Sequence, residues 1–381
     1  MKYVDEYRDG KLAREIAERI RNEALPSRQY NLMEFCGGHT HAIFRYGIPD
    51  LLPDNVNMIH GPGCPVCVLP ISRLDTAIEL AVAHDVILCS YGDMMRVPGS
   101  RKRSLLKARA EGADVRMVYS SMDALKLAQD NPDREVVFFA IGFETTTPPT
   151  ALVIHQAKKL GVKNFSVFCN HVLTPAAISS ILDSPEAGEL GLLKLDGFVG
   201  PAHVSTVIGS QPYERFAVEY SKPIVIAGFE PLDLLQAILM LIRQVNEGRA
   251  EVENEFSRAV TRQGNERAKQ IVDETFEERD SFEWRGLGFV PRSALQIRAE
   301  FAGFDAEKRF PVEYRSSAEN SACLCGPILH GVKSPRDCTL FGGACTPENP
   351  LGPCMVSSEG ACAAYYSYGR HQESLIAKEH A

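Results

Sequence analysis

Short apolar runs alternate along this chain with longer stretches that are apolar on one face only. The apolar runs are NLMEF (31–35), NVNMI (55–59), DVILCS (85–90), DVRMVY (114–119), EVVFFAI (135–141), NFSVFC (164–169), DGFVG (196–200) and KPIVIAG (222–228). Rich in Val, Ile and Phe and too short for helices, they predict strands buried on both faces. Between them, SRLDTAIELAVAH (72–84), SLLKARAEG (104–112), MDALKLAQD (122–130), PPTALVIHQAKKLG (148–161) and EPLDLLQAILMLIRQV (230–245) carry helical periodicity. Ser72 and Asp75 predict a capping box at the first of these. Ahead of the strands, residues 3–24 place Leu12, Ile16 and Ile20 on one helical stripe, which Pro26 ends. Strands alternating with helices predict parallel sheets covered by helices. Eight strands in about 200 residues fit two similar open α/β domains better than a closed barrel, which usually takes ~250 residues.

Past Gly248 the pattern changes. ENEFSRAVTRQGNERAKQIVDETFEERD is charged and helical, and EWRGLGFVPRSALQIRAEF, with the only tryptophan, Trp284, predicts strands and turns. Residues 320–362 hold Cys, Gly and Pro with few hydrophobics, so something other than an apolar core must organise them. The expected division is an N-terminal helix over 1–26 packing on the C-terminal domain, α/β domains over 27–130 and 131–236, and a mixed C-terminal domain over 237–381.

A chain that is 45% hydrophobic and 24% charged has a soluble globular profile. Its net charge is −8, and its only tight basic cluster, Arg101-Lys102-Arg103, predicts a solvated helix start, so no nucleic-acid partner is expected. The most apolar helical run, Leu234 to Ile242, is nine residues long, against the ~20 of a membrane span. The polar start MKYVDEYRDGK is unlike a signal peptide, so a cytoplasmic location without a membrane partner is expected.

Chemistry collects where the strands end. NLMEF runs into Cys36-Gly37-Gly38-His39-Thr40-His41, NVNMI into His60 and GPGCPVC, and EVVFFAI into Gly142-Phe143-Glu144 and three threonines. NFSVFC runs into Asn170-His171, DGFVG into Pro201-Ala202-His203, and KPIVIAG into Phe229-Glu230. Open α/β sheets bind ligands beyond the carboxyl ends of their strands, so six segments converge on one edge. Cys36 lies between Phe35 and two glycines that let a ligand approach the backbone. A thiol is only ~3% thiolate at pH 7, and a two-unit depression (about 2.7 kcal/mol) would make it mostly thiolate. His39 can assist as a cation or a neighbouring ligand. Glu144 and His203 can serve as ligands, proton carriers or plain hydrogen-bond partners.

Eleven cysteines without an export signal point to metal or redox chemistry rather than structural disulfides. Cys64 and Cys67 in GPGCPVC can be a redox dithiol, half a metal site or an inert turn. Val68-Leu69-Pro70 intervene between Cys67 and the capped helix at 72, which sets the motif apart from a thioredoxin first turn. Cys323, Cys338, Cys345 and Cys362 are separated by 14, 6 and 16 residues on a loop-rich segment, with Cys325 and Cys354 left over. Four such thiolates suit a 4Fe–4S cluster or a structural zinc, and the lack of close C-x₂₋₄-C pairs favours iron–sulfur. Cys89 and Cys169 lie within apolar strands and predict core positions.

CGGHTHAIFRYG (36–47), HGPGCPVCVLP (60–70), GFETTTPPT (142–150), GPAHVS (200–205), AGFEPLDLLQ (227–236), EWRGLG (283–288) and CMVSSEGACAA (354–364) together resemble the HypD family of NiFe-hydrogenase maturation factors. The resemblance implies two α/β domains facing a cleft, a third domain holding a 4Fe–4S cluster, and assembly of an Fe(CN)₂CO unit. It implies a stable complex with HypC and transient visits from HypE, the cyanide donor. Cys36 would bind the iron carrying cyanide and CO, and Cys64 and Cys67 would form a dithiol/disulfide pair in the cleft. Likeness to ferredoxin:thioredoxin reductase assigns Cys323 to the cluster and pairs Cys325 with Cys354 as a redox disulfide. Two other functions remain open: an iron–sulfur-dependent protein disulfide oxidoreductase, and a zinc hydrolase using Cys36, Cys64, Cys67 and a histidine.

Overall fold

The structure is a computed structural model, and it describes residues 2, 4–183, 195–311 and 321–369. Parts of the expected C-terminal domain, 312–320 and 370–381, lie outside the described residues. Nine parallel strands form two open sheets. The first has the order β2-β1-β7-β8-β9, from β1 (Tyr30–Glu34), β2 (Val56–His60), β7 (Gly197–Gly200), β8 (Ile224–Ile226) and β9 (Val252–Asn254). The second has the order β4-β3-β5-β6, from β3 (Ile87–Ser90), β4 (Val115–Met117), β5 (Val136–Gly142) and β6 (Phe165–His171). Every pairing in both sheets is parallel, and neither sheet closes into a barrel. All eight apolar runs are strands. β1, β5 and β6 are buried throughout, as helices on both faces require.

The sheets do not divide at residue 130. The chain lays down β1 and β2, crosses over to build the whole second sheet, and returns at residue 197 to finish the first. β1 is the hinge of this arrangement: Leu32 pairs with Met58 on one side and with Gly197 on the other. A strand pair of its own buries too little, so β1 and β2 are completed by strands from far along the chain.

The N-terminal helix Gly10–Glu23 is capped by Asp9 and buries Ala13, Ala17 and Ile20, one position round from the predicted stripe; Leu12 is exposed. It lies along the helix Pro231–Glu247, which covers the first sheet and runs from the expected second α/β domain into the expected C-terminal domain. Small alanines let the two helices approach, and Glu23 accepts two 2.7 Å bonds from Arg243. The capping box expected at 72–75 does not form. The helix Ile71–Ala83 begins one residue earlier, after Pro70; Ser72 donates instead to Glu283, and Asp75 accepts from the Ser100 N–H. Arg101 and Lys102 form a short exposed turn with left-handed backbone rather than a helix start.

Beyond the sheets come two small antiparallel pairs, Phe276–Glu278 with Leu295–Ile297 and Ser281–Trp284 with Gly288–Pro291. The stretch 253–280, expected to be helical, contains the end of β9, turns, one helix, Glu266–Thr275, and the strand Phe276–Glu278. Residues 321–369 are mostly turns, ending in the helix Ala361–Tyr368. Among the described residues no helix is long and apolar enough to cross a membrane.

Candidate functional site

Each sheet has one place where strand order reverses: between β1 and β7 in the first, between β3 and β5 in the second. Loops on either side of such a point diverge and leave a crevice beyond the strand ends. Here the two crevices face each other and enclose one cavity of about 360 Å³. Cys36 follows β1, Gly63, Pro65 and Val66 follow β2, and Tyr91 and Asp93 follow β3. Thr145 and Thr146 follow β5, His203 follows β7, and Glu359 closes the cavity from the cysteine-rich segment.

Cys36 caps the helix Gly37–Arg45 from an extended backbone, and its Sγ lies 3.9 Å from His203 Nδ1. Burial, reinforced by the Glu359 and Glu34 carboxylates, pushes its thiol pKa up to about 12. In the isolated chain Cys36 is therefore a neutral thiol, and a bound cation is what would ionise it. His39 cannot supply that charge. It is fully buried, burial lowers its pKa, its Nε2 meets the Ala227 carbonyl at 3.0 Å, and its ring packs on Phe229. The His203 ring also packs on Phe229, tilted to it with ring centroids 4.1 Å apart, and burial lowers its pKa as well. His39 thus braces the site from behind, while His203 enters it.

Cys64 and Cys67 are joined as a disulfide with Cα atoms 5.2 Å apart. They sit on a helical turn of their own, Pro65–Val68, which the sequence reading did not give them. Cys64 is its N-cap, and the Cys67 N–H points at Cys64 Sγ, 3.2 Å away. Pro65 at the first helical position favours this turn. Gly37 N–H donates to the Gly63 carbonyl at 3.0 Å, so the two thiol segments touch through their backbones.

Glu144 is placed elsewhere. Its carboxylate turns out of the cavity and accepts bonds from the Thr174 N–H (2.8 Å) and hydroxyl (2.9 Å), and burial pushes its pKa up to about 7. It anchors the loop after β6, and its threonine neighbours line the cavity instead. Cys89 and Cys169 are core residues, as expected.

The cysteine-rich segment forms a second, tight pocket of about 10 Å³, lined by Cys323, Cys325, Cys338, Cys345 and Cys362 with Ile328, Phe341 and Met355. Gly352 is pressed against it: a Cβ there would lie 2.5 Å from Cys323 Sγ and 2.7 Å from Cys325 Sγ. The two sulfurs are 3.3 Å apart. Cys354 does not line the pocket but lies within hydrogen-bond reach of Cys325, and the turn Pro353–Met355 packs on the turn Pro65–Val68. Among the described residues no group of three or more His, Cys, Asp or Glu converges closely enough to hold a single metal ion.

Two site residues escaped the sequence reading. Glu359 stands three residues before Cys362 within a quoted motif. Glu34 is the one charged residue of β1 and is fully buried; a carboxylate so placed is itself a signal, since buried charges are rare unless paired.

A family model described as the hydrogenase formation hypA family, HypD, matches residues 11–369. The chain is 71% identical over 376 residues to the hydrogenase expression/formation protein HupD of Azotobacter chroococcum mcd 1, covering 99% of each chain. It is 71% identical over 377 residues, again 99% of each, to the hydrogenase maturation factor HypD of Azotobacter vinelandii. Identity is 47% over 379 residues to HypD of Escherichia coli (strain K12), covering 98% of this chain and all of that one.

Proposed function

Because the chain belongs to the HypD family of hydrogenase maturation factors, we propose that it is the scaffold and thiol redox partner on which the Fe(CN)₂CO unit of NiFe-hydrogenase is assembled. HypC is its stable partner and HypE the transient cyanide donor. One observation carries this reading: Cys36 and His203 meet at a single cavity between two strand-order reversals, and the turn that carries the Cys64–Cys67 disulfide reaches it through Pro65 and Val66. Iron carrying cyanide and CO is a soft substrate, and thiolate is its natural protein ligand. Cys36 provides that ligand, with His203 beside it to take the thiol proton. Splitting an S–CN bond into thiolate and cyanide consumes two electrons. Oxidising the Cys64/Cys67 dithiol to its disulfide releases two electrons and two protons, so the step balances within the cleft.

Cys323, Cys338, Cys345 and Cys362 are assigned to a 4Fe–4S cluster, with Cys325 and Cys354 as the adjoining redox pair. The donor set fits: five thiols line one small pocket, and no carboxylate or imidazole does. When bound, the cluster supplies electrons singly. A second reading, protein disulfide oxidoreductase, is favoured by the packing of the Cys354 turn on the Cys64–Cys67 turn.

The test is infrared spectroscopy of the chain co-purified with HypC. Cyanide and CO stretches are expected with wild type and absent with Cys36→Ala; wild-type bands in the variant would reject Cys36 as the iron ligand. Turnover of a generic protein disulfide in the absence of HypC would favour the second reading.

A further inference from the structure

β1 ends in Glu34, whose side chain is wholly buried. Three donors converge on its carboxylate. The Cys36 N–H reaches Oε2 at 2.8 Å, His60 Nδ1 reaches Oε1 at 2.9 Å, and the Thr40 hydroxyl also bonds Oε1. These donors come from three pieces of chain. Cys36 opens the iron-binding loop, Thr40 lies in the first turns of the helix Gly37–Arg45, and His60 is the last residue of β2 before GPGCPVC. Glu34 and His60 are partners in register across the β1–β2 ladder, and the Gly61 N–H donates to the Glu34 carbonyl at 2.9 Å. The His60 ring in turn lies 5.1 Å from Phe44 and 5.7 Å from Tyr365, on the helix that carries Cys362. A carboxylate is costly at this fully buried position unless its hydrogen bonds specify a geometry.

We propose that Glu34 is the positioning residue for Cys36, fixing the loop that aims its sulfur at His203 and holding it in register with the Cys64–Cys67 turn. The proposal rests on the reading of Cys36 as the iron ligand, but its geometry does not need iron. Glutamine has the same shape. It can accept from the Cys36 N–H through its oxygen and donate from its amide to the His60 imidazole, in the other tautomer, and to the Thr40 oxygen. Alanine can do none of this, and it frees the Cys36 N–H.

The experiment measures the alkylation rate of each thiol by iodoacetamide in the full-length, iron-free chain, read by peptide mass. Loss of one buried hydrogen bond is worth roughly a factor of five in local opening. Glu34→Ala is therefore expected to label Cys36 about fivefold faster than wild type, with the core thiols Cys89 and Cys169 unchanged. Glu34→Gln is expected to restore the wild-type rate to within about twofold, and Thr40→Val, which spares the Cys36 bond, to stay within the same limit. Wild-type labelling of Cys36 in Glu34→Ala overturns the proposal. So does faster labelling in Thr40→Val equal to that in Glu34→Ala, which would mean general loosening. Opening of Cys89 and Cys169 together with Cys36 would make Glu34 a folding residue and also overturn it. Iron retained by Cys36→Ala would defeat the functional reading and leave these rates standing.

Discussion

A side-chain carbon on Gly63 would lie 2.5 Å from the backbone nitrogen of Cys36. The loop bearing the proposed iron ligand and the loop bearing the disulfide are thus in backbone contact, with no room for a methyl group between them. Gly63→Ala is expected to push them apart. Overpacking a buried contact costs typically 1–3 kcal/mol, so the unfolding free energy of the variant should fall by about that amount and its denaturant midpoint should be lower. It should also fail to support hydrogenase maturation in a host lacking its own copy. Wild-type stability and maturation together would show that the contact yields freely.

Glu144 gives a pH dependence whose sign can be worked out. Its pKa rises from 4.5 in the ordinary state to about 7 when buried in the fold. Below pH 4.5 it is neutral in both folded and unfolded chains, and its favourable contribution is fully present. That contribution is lost as pH rises through 7, where the fold must hold a buried charge. The displacement corresponds to about 3 kcal/mol as an upper figure. Glu144→Gln keeps the acceptor for the Thr174 N–H and carries no charge. It is expected to flatten stability between pH 4.5 and 7 and to raise it at pH 8, measured by urea unfolding at a series of pH values. A variant with the wild-type pH profile would show that Glu144 does not titrate in this window.

The strands were legible because parallel strands buried on both faces are written as unbroken apolar runs, as EVVFFAI is. The edge where the site lies was legible for the same reason: Cys36 and His203 are the first reactive side chains past such runs, and Gly63 follows the His60 that ends another. Which strands share a sheet was not legible. β1 pairs with Met58 and with Gly197 through the same residue, Leu32, and nothing local distinguishes a neighbour close in sequence from one far along the chain. β9 escaped because Val252–Asn254 is short and only half-buried. Side-chain direction escaped too: in Gly142-Phe143-Glu144-Thr145-Thr146 the charged residue looked chemical, yet the backbone turn sends Glu144 to Thr174 and the threonines to the cavity.

The thiol pocket predicts linked losses of colour and stability. The cysteine-rich segment has little regular structure, so a group bound by its thiols contributes folding energy directly. Cys362 begins the last described helix and lines the pocket. Cys362→Ser is expected to lose the visible absorption of the anaerobically purified chain and to lower its melting temperature. Chelating iron from wild type should bring its melting temperature down to that of the variant. A colourless variant melting like the iron-bound wild type would reject the stabilising role.

Cys354 allows the exchange of electrons between the two thiol pairs to be tested without touching the pocket. It is fully buried and does not line the cavity, yet it lies beside Cys325 and its turn packs on the Cys64–Cys67 turn. If the Cys325/Cys354 dithiol reduces the Cys64–Cys67 disulfide, one disulfide forms as the other opens and two electrons pass with no outside reagent. The direction follows the difference in potential, where each 30 mV is worth about 1.4 kcal/mol. Cys325 and burial together hold the Cys354 thiol well above its ordinary pKa, so it is protonated and the exchange is gated by its ionisation. Cys354→Ser leaves the pocket thiols in place and removes the dithiol. It is expected to keep the visible absorption but to slow the appearance of free Cys64 and Cys67 after a one-electron donor is added, by about tenfold or more, since exchange needs the attacking thiol in contact. Mass tagging of trapped thiols against time measures this. Equal rates in variant and wild type would mean that electrons reach Cys64–Cys67 by another route, leaving Cys325 and Cys354 as packing residues beside the pocket.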